Sequence, residues 1–515
     1  MHNSKRLTTT LFFSTFVVTL GTWYTAGYFN VALNVPQAYV VSWIRRVECS
    51  RYEDHENHTE NFILWCGPLT EEEESLVLRD NFKLNTIWSV INSIVAAGIL
   101  ASVFSCRLFI RRFGLKGTIY IAAAIHLTGT LLSTLVSAVH FYELLIVGRL
   151  LCGFSEGLTG VTTVMYISEI TPAKLRGLFG TVPMVMMVLG FLTANGLGLP
   201  MLLGTKERWT ILLSLQCIPV ILMCVSLPFC PDSPRQLFLV KGDKVGAEKA
   251  LIWLRKTADV REEMAAMQRE LDMQEKGKIN PQVSLFGIFR DPYLRYIFGL
   301  CAAPMFVKQF SGYACVLYYS TSIFRKAGLD HLYSAYASLA MWLVYLTFSL
   351  ISMSLVDRLG RRVMLLISHS GMMLGMALFT VFMVLSGSYA IDWAKYGGVA
   401  SIFVWIAFYT TGSSSVAWFL PSEMFPQEAR TSAMTWISAF CEVCGLTTSF
   451  LFPMVVLALE EYTFLIFVGG IALGTVYIVW KLPETKGMTI DEIQVLLRYR
   501  FNVFGDLGDL GDPKA

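Results

Sequence analysis

Lys308, Glu442 and Glu156 are the residues of this sequence best placed to do chemistry, because each falls near the middle of an apolar run long enough to cross a bilayer. A Lys or an acid at the centre of a membrane-crossing helix costs about 2.5–3.5 kcal/mol, so such residues face a cavity or a partner. An ammonium at Lys308 offers a counter-charge to an anionic group, and a carboxylate at Glu442 offers one to a cation. Two readings stand side by side: Lys308 and Glu442 pair with each other, or one of them contacts a ligand. Glu156 reads as a hydrogen-bonded structural acid, with proton carriage as the alternative. The seven histidines show no metal-ligand spacing, and glycine-bearing stretches such as GLFGTVP lie inside apolar runs rather than in phosphate-binding loops. The residues therefore point to no catalytic centre, no metal and no cofactor, and away from an enzyme.

The elements that must position these residues are membrane helices. Hydrophobic types fill 54% of 515 positions, charged types 15%, and the mean hydropathy is +0.54, which is too apolar for a soluble chain of this length. A helix needs about 20 apolar residues to cross the hydrocarbon. Twelve such runs occur, near 11–33, 86–106, 117–139, 143–166, 177–200, 209–229, 293–322, 335–356, 362–386, 397–420, 431–456 and 463–480. Backbone in hydrocarbon must satisfy its own hydrogen bonds, which makes these runs helices. The expected fold is an all-α membrane protein with twelve transmembrane helices in two six-helix halves. The first half is 1–229, with a polar loop at 35–85; a helical linker follows at 230–291, then the second half at 292–480 and a tail at 481–515. Amphipathic patterns at 243–256 and 261–276 predict helices within the linker.

The basic residues set the expected orientation. Lys5 and Arg6, then Arg107, Arg111, Arg112 and Lys116, then Lys174 and Arg176, then Arg358, Arg361 and Arg362 all fall on one side with the linker and both termini, which makes that side cytoplasmic. The 35–85 loop is then outside, which suits the sequon at Asn57 and a disulfide between Cys49 and Cys66. The net charge of +3 gives no argument for nucleic acid. A lipid bilayer and a small-molecule solute are the partners expected, and the oligomeric state is open.

Two motifs recur at matching places in the two halves. RLFIRRFGLKG after the second span answers LVDRLGRR after the eighth, and YISEITPAKLRG after the fourth answers LPSEMFPQEARTS after the tenth. Such repetition marks a duplicated transporter with its site between the halves. GRLLCGFSEGLTG, PDSPR at 231–235, YYSTSIFRKAG, VDRLGRR, WFLPSEMF and LPETKG, in this order over Gly27 to Gly487, resemble the sugar porter family of the major facilitator superfamily, specifically the animal facilitative glucose transporters. The resemblance implies facilitative (uniport) transport of a hexose or related small polyol by alternating access, with the plasma membrane as location and both termini cytoplasmic. It further implies an inner salt-bridge network of Arg149, Glu169, Arg176, Asp232 and Arg235 with Arg361, Glu423, Arg430 and Glu484, which closes the inner side when the outer side is open. Gly312 is then a hinge within span seven, and Tyr318 and Tyr319 line and gate the outer cavity or anchor the helix at the interface.

The sequence also departs from that family. Where the family carries QQxSGxN in span seven, this chain reads KQFSGYA, so Gln309, Ser311 and Gly312 remain while Lys308 and Ala314 replace amides. Met184 stands for a span-five Gln, Tyr345 for a span-eight Asn, and Cys441-Glu442 for the Asn-Trp pair of span eleven, whereas Trp418 is kept. A sugar site needs amides that both donate and accept, and an aromatic face. The expected substrate contacts are therefore Lys308, Gln309, Trp418, Glu442, Met184 and Tyr345. Two other functions follow from the lost amides: transport of a charged or amphipathic solute on the same fold, or solute sensing without transport. Proton-coupled members carry an acid in the first span, where Phe29 stands here, which favours uniport.

Overall fold

A computed structural model describes residues 8–53, 82–172, 175–275, 283–488 and 490–505. Asn57 and Cys66 fall outside the described residues, and Cys49 is engaged in a disulfide. The described residues form helices and turns, with no strand among them. Nine continuous segments there are long and apolar enough to cross a membrane. Two of these, Phe82–Val139 and Gln427–Lys481, run to 58 and 55 residues, enough for two crossings each. Together with the first span they make up the twelve crossings read from the sequence. Gly114, at φ +74°, turns the chain within Phe82–Val139, a conformation in which a Cβ would clash.

Span one is not a regular helix. Thr9–Thr19 passes into a π-helical turn at Leu20–Tyr24 and resumes α-helix over Thr25–Val31. Beyond a turn at 32–36 the chain is helical again over Gln37–Glu53, where the hydropathy profile predicts loop. Polar contacts hold this segment: Arg51 donates to both Glu143 oxygens at 2.7 and 2.9 Å and pairs with Glu48 one turn back. Val40, Val41, Ile44 and Val47 form its buried face at helical spacing, and the charged residues between them keep the stretch below the hydropathy of a span. The two linker helices appear as predicted, at Lys244–Arg255 and Arg261–Glu275.

Close helix contact explains two of the three glycines of span four. A Cβ on Gly153 would collide with the Val95 carbonyl oxygen, and one on Gly157 would meet the Ser102 side chain of span two, whereas Gly160 faces open space. Small residues at such positions let membrane helices approach.

The described chain divides into two compact units. The first comprises 1–279, 315–342 and 449–458, and the second 280–314, 343–448 and 459–515. The core of the first holds Leu11, Val18, Ile119, Tyr166 and Leu227. That of the second holds Ile297, Leu300, Met364, Leu420, Ile437 and Ile478. Large apolar side chains also face outward, among them Val225 at 63%, Leu374 at 54% and Leu473 at 69% exposure, as expected where the surrounding solvent is lipid.

Candidate functional site

In the second unit, span seven breaks between Pro292–Phe310 and Tyr313–Lys326. Gly312 takes φ +87° at the break, where a Cβ would meet the Phe467 ring at 2.9 Å. The break places Lys308 and Gln309 in the last turn of a helix, beside aromatic side chains of span ten. Lys308 is 8% exposed, and its Nζ lies 4.6 Å from the Trp418 ring centroid and 6.0 Å from that of Tyr313. Cation–π contacts of this kind contribute about 2 kcal/mol when desolvated. Tyr313 stacks on Tyr409 at 4.7 Å with planes 9° apart, and Tyr409 stacks in turn on Trp405.

Lys308 and Glu442 do not form an ion pair. Among the described residues Glu442, on Gln427–Leu459, has no hydrogen-bond or ion-pair partner. Both charges are therefore held in protein without closing on each other. Gln309 donates through Nε2 to the Cys441 Sγ at 3.3 Å, while its buried Oε1 has no partner. Tyr345 is 2% exposed and its hydroxyl lies 3.0 Å from the Ser414 Oγ. The second unit thus brings together Lys308 with Trp418, Gln309 with the Cys441 neighbour of Glu442, and Tyr345 with span ten. Met184, half-buried one residue after Pro183 in Arg176–Leu197, belongs to the first unit. The Tyr313–Tyr409–Trp405 stack and Ser414 are additions with no signature in the sequence, because an aromatic or a lone serine inside an apolar run reads as helix packing.

In the first unit three amides close to one another in sequence bond Tyr313–Lys326: Asn30 from Thr25–Val31, Asn34 from the turn at 32–36 and Gln37 from the start of Gln37–Glu53. Tyr318 donates to the Asn30 Oδ1 at 3.3 Å, the Thr321 amide to the Asn34 Oδ1 at 3.2 Å, and Ser322 to the Gln37 Oε1 at 2.6 Å. Asn30 donates in turn to both oxygens of Glu156, at 3.0 and 3.1 Å. Tyr319 bonds the Ser449 carbonyl and packs on Phe452. Tyr318 and Tyr319 are 8% and 3% exposed, so neither is an anchor at the membrane surface.

Arg149 requires a correction. It sits in the second turn of Glu143–Ile170, whereas Glu169 is at the other end, about 30 Å away at 1.5 Å per residue. It cannot join an inner network with Glu169. Its guanidinium is 1% exposed, stacks 4.8 Å from the Phe29 ring centroid and donates to the Ile91 carbonyl at 2.8 Å. The remaining charges form separate groups. In the first unit Glu169 accepts from Ser233, Arg235 pairs with Glu270, and Asp232 lies 3.5 Å from Lys116 and 3.4 Å from Lys241. In the second unit Arg361 pairs with Glu423 at 2.9 Å, and Glu484 accepts from the Arg361 and Arg362 amides. Arg430 donates to the Phe425 carbonyl at 3.5 Å, and its buried Nε has no partner. The Arg176 side chain is outside the described residues.

Comparison with known proteins places this arrangement. The profile of the sugar (and other) transporter family matches residues 13–497. The chain belongs to that family. It is 31% identical over 490 residues to facilitated glucose transporter member 3 of solute carrier family 2 from Ovis aries, covering 95% of this chain and 93% of that protein. It is 32% identical over 510 residues to member 2 from Rattus norvegicus, covering 96% and 95%. Among solved structures, the inward-open xylose transporter XylE from E. coli superposes with a TM-score of 0.73 at 20% identity, over 94% of this chain and 99% of that one. A major facilitator superfamily proton:xylose symporter, XylE with 6-bromo-6-deoxy-D-glucose bound, gives 0.67 at 21%, over 95% and 99%. The fold is therefore that of the major facilitator superfamily, and family members of this kind are membrane transporters.

Proposed function

We propose that the protein is a facilitative (uniport) transporter that moves a hexose or related small polyol across a membrane by alternating access. The observation that carries this reading is Gln309: its Oε1 is a buried acceptor without a partner, and a sugar hydroxyl supplies the missing donor. An unsatisfied buried polar atom costs about 1–3 kcal/mol, so a ligand that satisfies it gains that much in affinity. Trp418 and Tyr345 supply the aromatic face and a hydroxyl, and Met184 contributes from span five. The relatives named facilitated glucose transporters support the substrate class. Uniport is supported by Phe29, which stacks under Arg149 at a place where an acid would be needed to relay a proton.

The ion pairs Arg361–Glu423, Arg235–Glu270 and Lys116–Asp232, with the hydrogen bond from Ser233 to Glu169, serve as a reversible inner latch, since each is weak enough to open on every cycle. Gly312 is the hinge that lets the outer part of span seven move. The working division is two six-helix halves, 1–229 and 292–480, joined by the linker at 230–291. The basic loops place both termini in the cytoplasm, with the plasma membrane as the site of action.

A second reading has its own support. Lys308 rests on Trp418 without an ion-pair partner, so an anionic or zwitterionic solute finds a ready counter-charge. Uptake of a mixed panel of hexoses, polyols, organic anions and organic cations into proteoliposomes, with and without a proton gradient, separates the two. Hexose uptake indifferent to the gradient is expected. Uptake of charged solutes alone would replace the first reading by the second, and binding without flux would leave a sensor.

A further inference from the structure

Deep in the first unit, away from Lys308 and Gln309, a small cavity with room for about one water-sized molecule lies between spans one, three and four. Its polar lining is Thr22, Thr25, His126, Ser155, Glu156 and Thr159. The chemistry of this lining is one-sided. Each hydroxyl has already given its proton to a backbone carbonyl: Thr22 to Val18 at 2.7 Å, Thr25 to Leu20 at 3.2 Å, Ser155 to Ala122 at 2.7 Å and Thr159 to Ser155 at 3.0 Å. The Thr22 oxygen also accepts from the Thr163 hydroxyl at 3.2 Å, and what the four oxygens still offer is their remaining lone pairs. His126 Nε2 lies 3.3 Å from the Gln216 Oε1, so Nε2 carries the proton and the other ring nitrogen is an acceptor. Glu156 adds a carboxylate.

The backbone is irregular at the same place. Gly21 and Thr22 lie in the π-helical turn Leu20–Tyr24, and the Thr25 hydroxyl reaches back five residues to the Leu20 carbonyl. π-Helical turns inside longer helices concentrate at functional sites. A water molecule set among acceptors can donate only two hydrogens and leaves its own lone pairs unmet. An alkali cation is of similar size, takes oxygen ligands only and meets the carboxylate as well as the hydroxyls.

We propose that this cavity is a binding site for a sodium-sized monovalent cation, ligated by Glu156 and the hydroxyl oxygens of Thr22, Thr25, Ser155 and Thr159. The site is connected to the outer part of span seven, because Glu156 is bonded to Asn30 and Asn30 to Tyr318. Cation binding fixes the Glu156 carboxylate, keeps Asn30 oriented for Tyr318, and so favours the arrangement in which Tyr313–Lys326 is closed on span one. A ligand shifts such an equilibrium only through its different affinity for the two arrangements. The cation is resident rather than carried, and the inference stands whatever solute Gln309 and Lys308 receive.

The test uses the purified full-length chain at fixed pH and ionic strength, with sodium, potassium or choline as the cation. The melting temperature is expected to rise with sodium over choline and to saturate with concentration, as binding to the folded state requires. Glu156→Gln should abolish the sodium-dependent shift while keeping the amide contact to Asn30. Thr159→Val, which leaves every charge in place, should weaken it. In proteoliposomes with equal sodium on both faces, labelling of a cysteine placed at Ser322 should be slower in sodium than in choline. Equal melting in all three cations, a shift retained by both variants, or a gain that follows pH and not sodium would each overturn the proposal.

Discussion

Two buried groups of charge in this molecule are built on opposite plans. In the first unit Arg149 and Glu156 are tied into protein: the guanidinium donates to the Ile91 carbonyl and stacks on Phe29, and the carboxylate accepts twice from Asn30. In the second unit Lys308 is buried and Glu442 half-buried without an ion-pair partner among the described residues; the Trp418 and Tyr313 rings flank the ammonium, and Glu442 feels its charge without closing on it. Groups of the first kind hold helices in place. Groups of the second kind keep their bonding capacity for something that arrives. The comparison separates positioning from recognition, and substitutions in the two units should separate stability from transport.

The largest effect is expected at Asn30. Replacing it by Ala removes two hydrogen bonds to a buried carboxylate and one from Tyr318, and stranding such a group destabilises by about 1–3 kcal/mol. The melting temperature of Asn30→Ala in detergent should fall by several degrees, and Asn30→Gln should not restore it because the longer side chain displaces the amide. A wild-type melting temperature would place Glu156 with the loosely held charges instead.

Lys308→Gln should show the reverse pattern. The apparent KM for the transported solute should rise about tenfold, equivalent to about 1.4 kcal/mol, while the melting temperature stays the same or rises. Removing a buried charge that closes no ion pair relieves its own desolvation, which offsets the lost attraction to Glu442. Adding Glu442→Asn should then give no stability rescue. If Lys308→Gln unfolds the protein and the double variant restores it, the two charges are paired in the membrane and the comparison fails.

These differences mark how far the sequence could be read. Twelve crossings were legible because lipid demands long apolar runs, and the linker helices because their apolar faces recur at helical spacing. The helix at Gln37–Glu53 is harder to see, since its short buried stripe of Val40, Val41, Ile44 and Val47 is interrupted by Arg45, Arg46, Glu48 and Arg51, which lower the mean hydropathy signal. Lys308, Gln309 and Trp418 stand out in the sequence as expected solute contacts because motif order assigns each to its span, and the structure sets Lys308 on Trp418. Arg149 was misplaced for a related reason: motif proximity to Glu169 was read as spatial proximity, although both lie on one helix and distance along it grows by 1.5 Å per residue. The Tyr313–Tyr409–Trp405 stack was invisible because stacking depends on helix rotation, which an all-apolar pattern does not encode.

A smaller effect is expected at Phe29. Its ring lies under the Arg149 guanidinium, and a leucine there keeps the volume roughly while losing the cation–π contact, a loss of about 1 kcal/mol in a buried setting. Phe29→Leu should lower the melting temperature slightly without changing the solute preference. Altered selectivity would move Arg149 from the positioning group to the recognition group.

The smallest stability effect belongs to Glu423→Gln. Arg361 and Glu423 are 21% and 26% exposed, so their pairing contributes about 1 kcal/mol or less and is screened by salt. The carboxylate also accepts from the Thr485 hydroxyl at 3.0 Å, a bond that the amide can keep. What should change is the balance of the transport cycle rather than the melting temperature. A latch that holds one facing state loses most of its energy when one charge is neutralised, because the remaining contacts are neutral hydrogen bonds of comparable strength in both states. Labelling of a cysteine placed at Ser322 should therefore slow in Glu423→Gln as the inward-facing population grows, and high salt should produce a weaker version of the same shift in the wild type. Unchanged labelling in the variant would mean that Arg361 and Glu423 merely brace their own helix ends. The inner charges would then join Arg149 among the groups that position helices, leaving Lys308 and Glu442 alone as charges kept open for function.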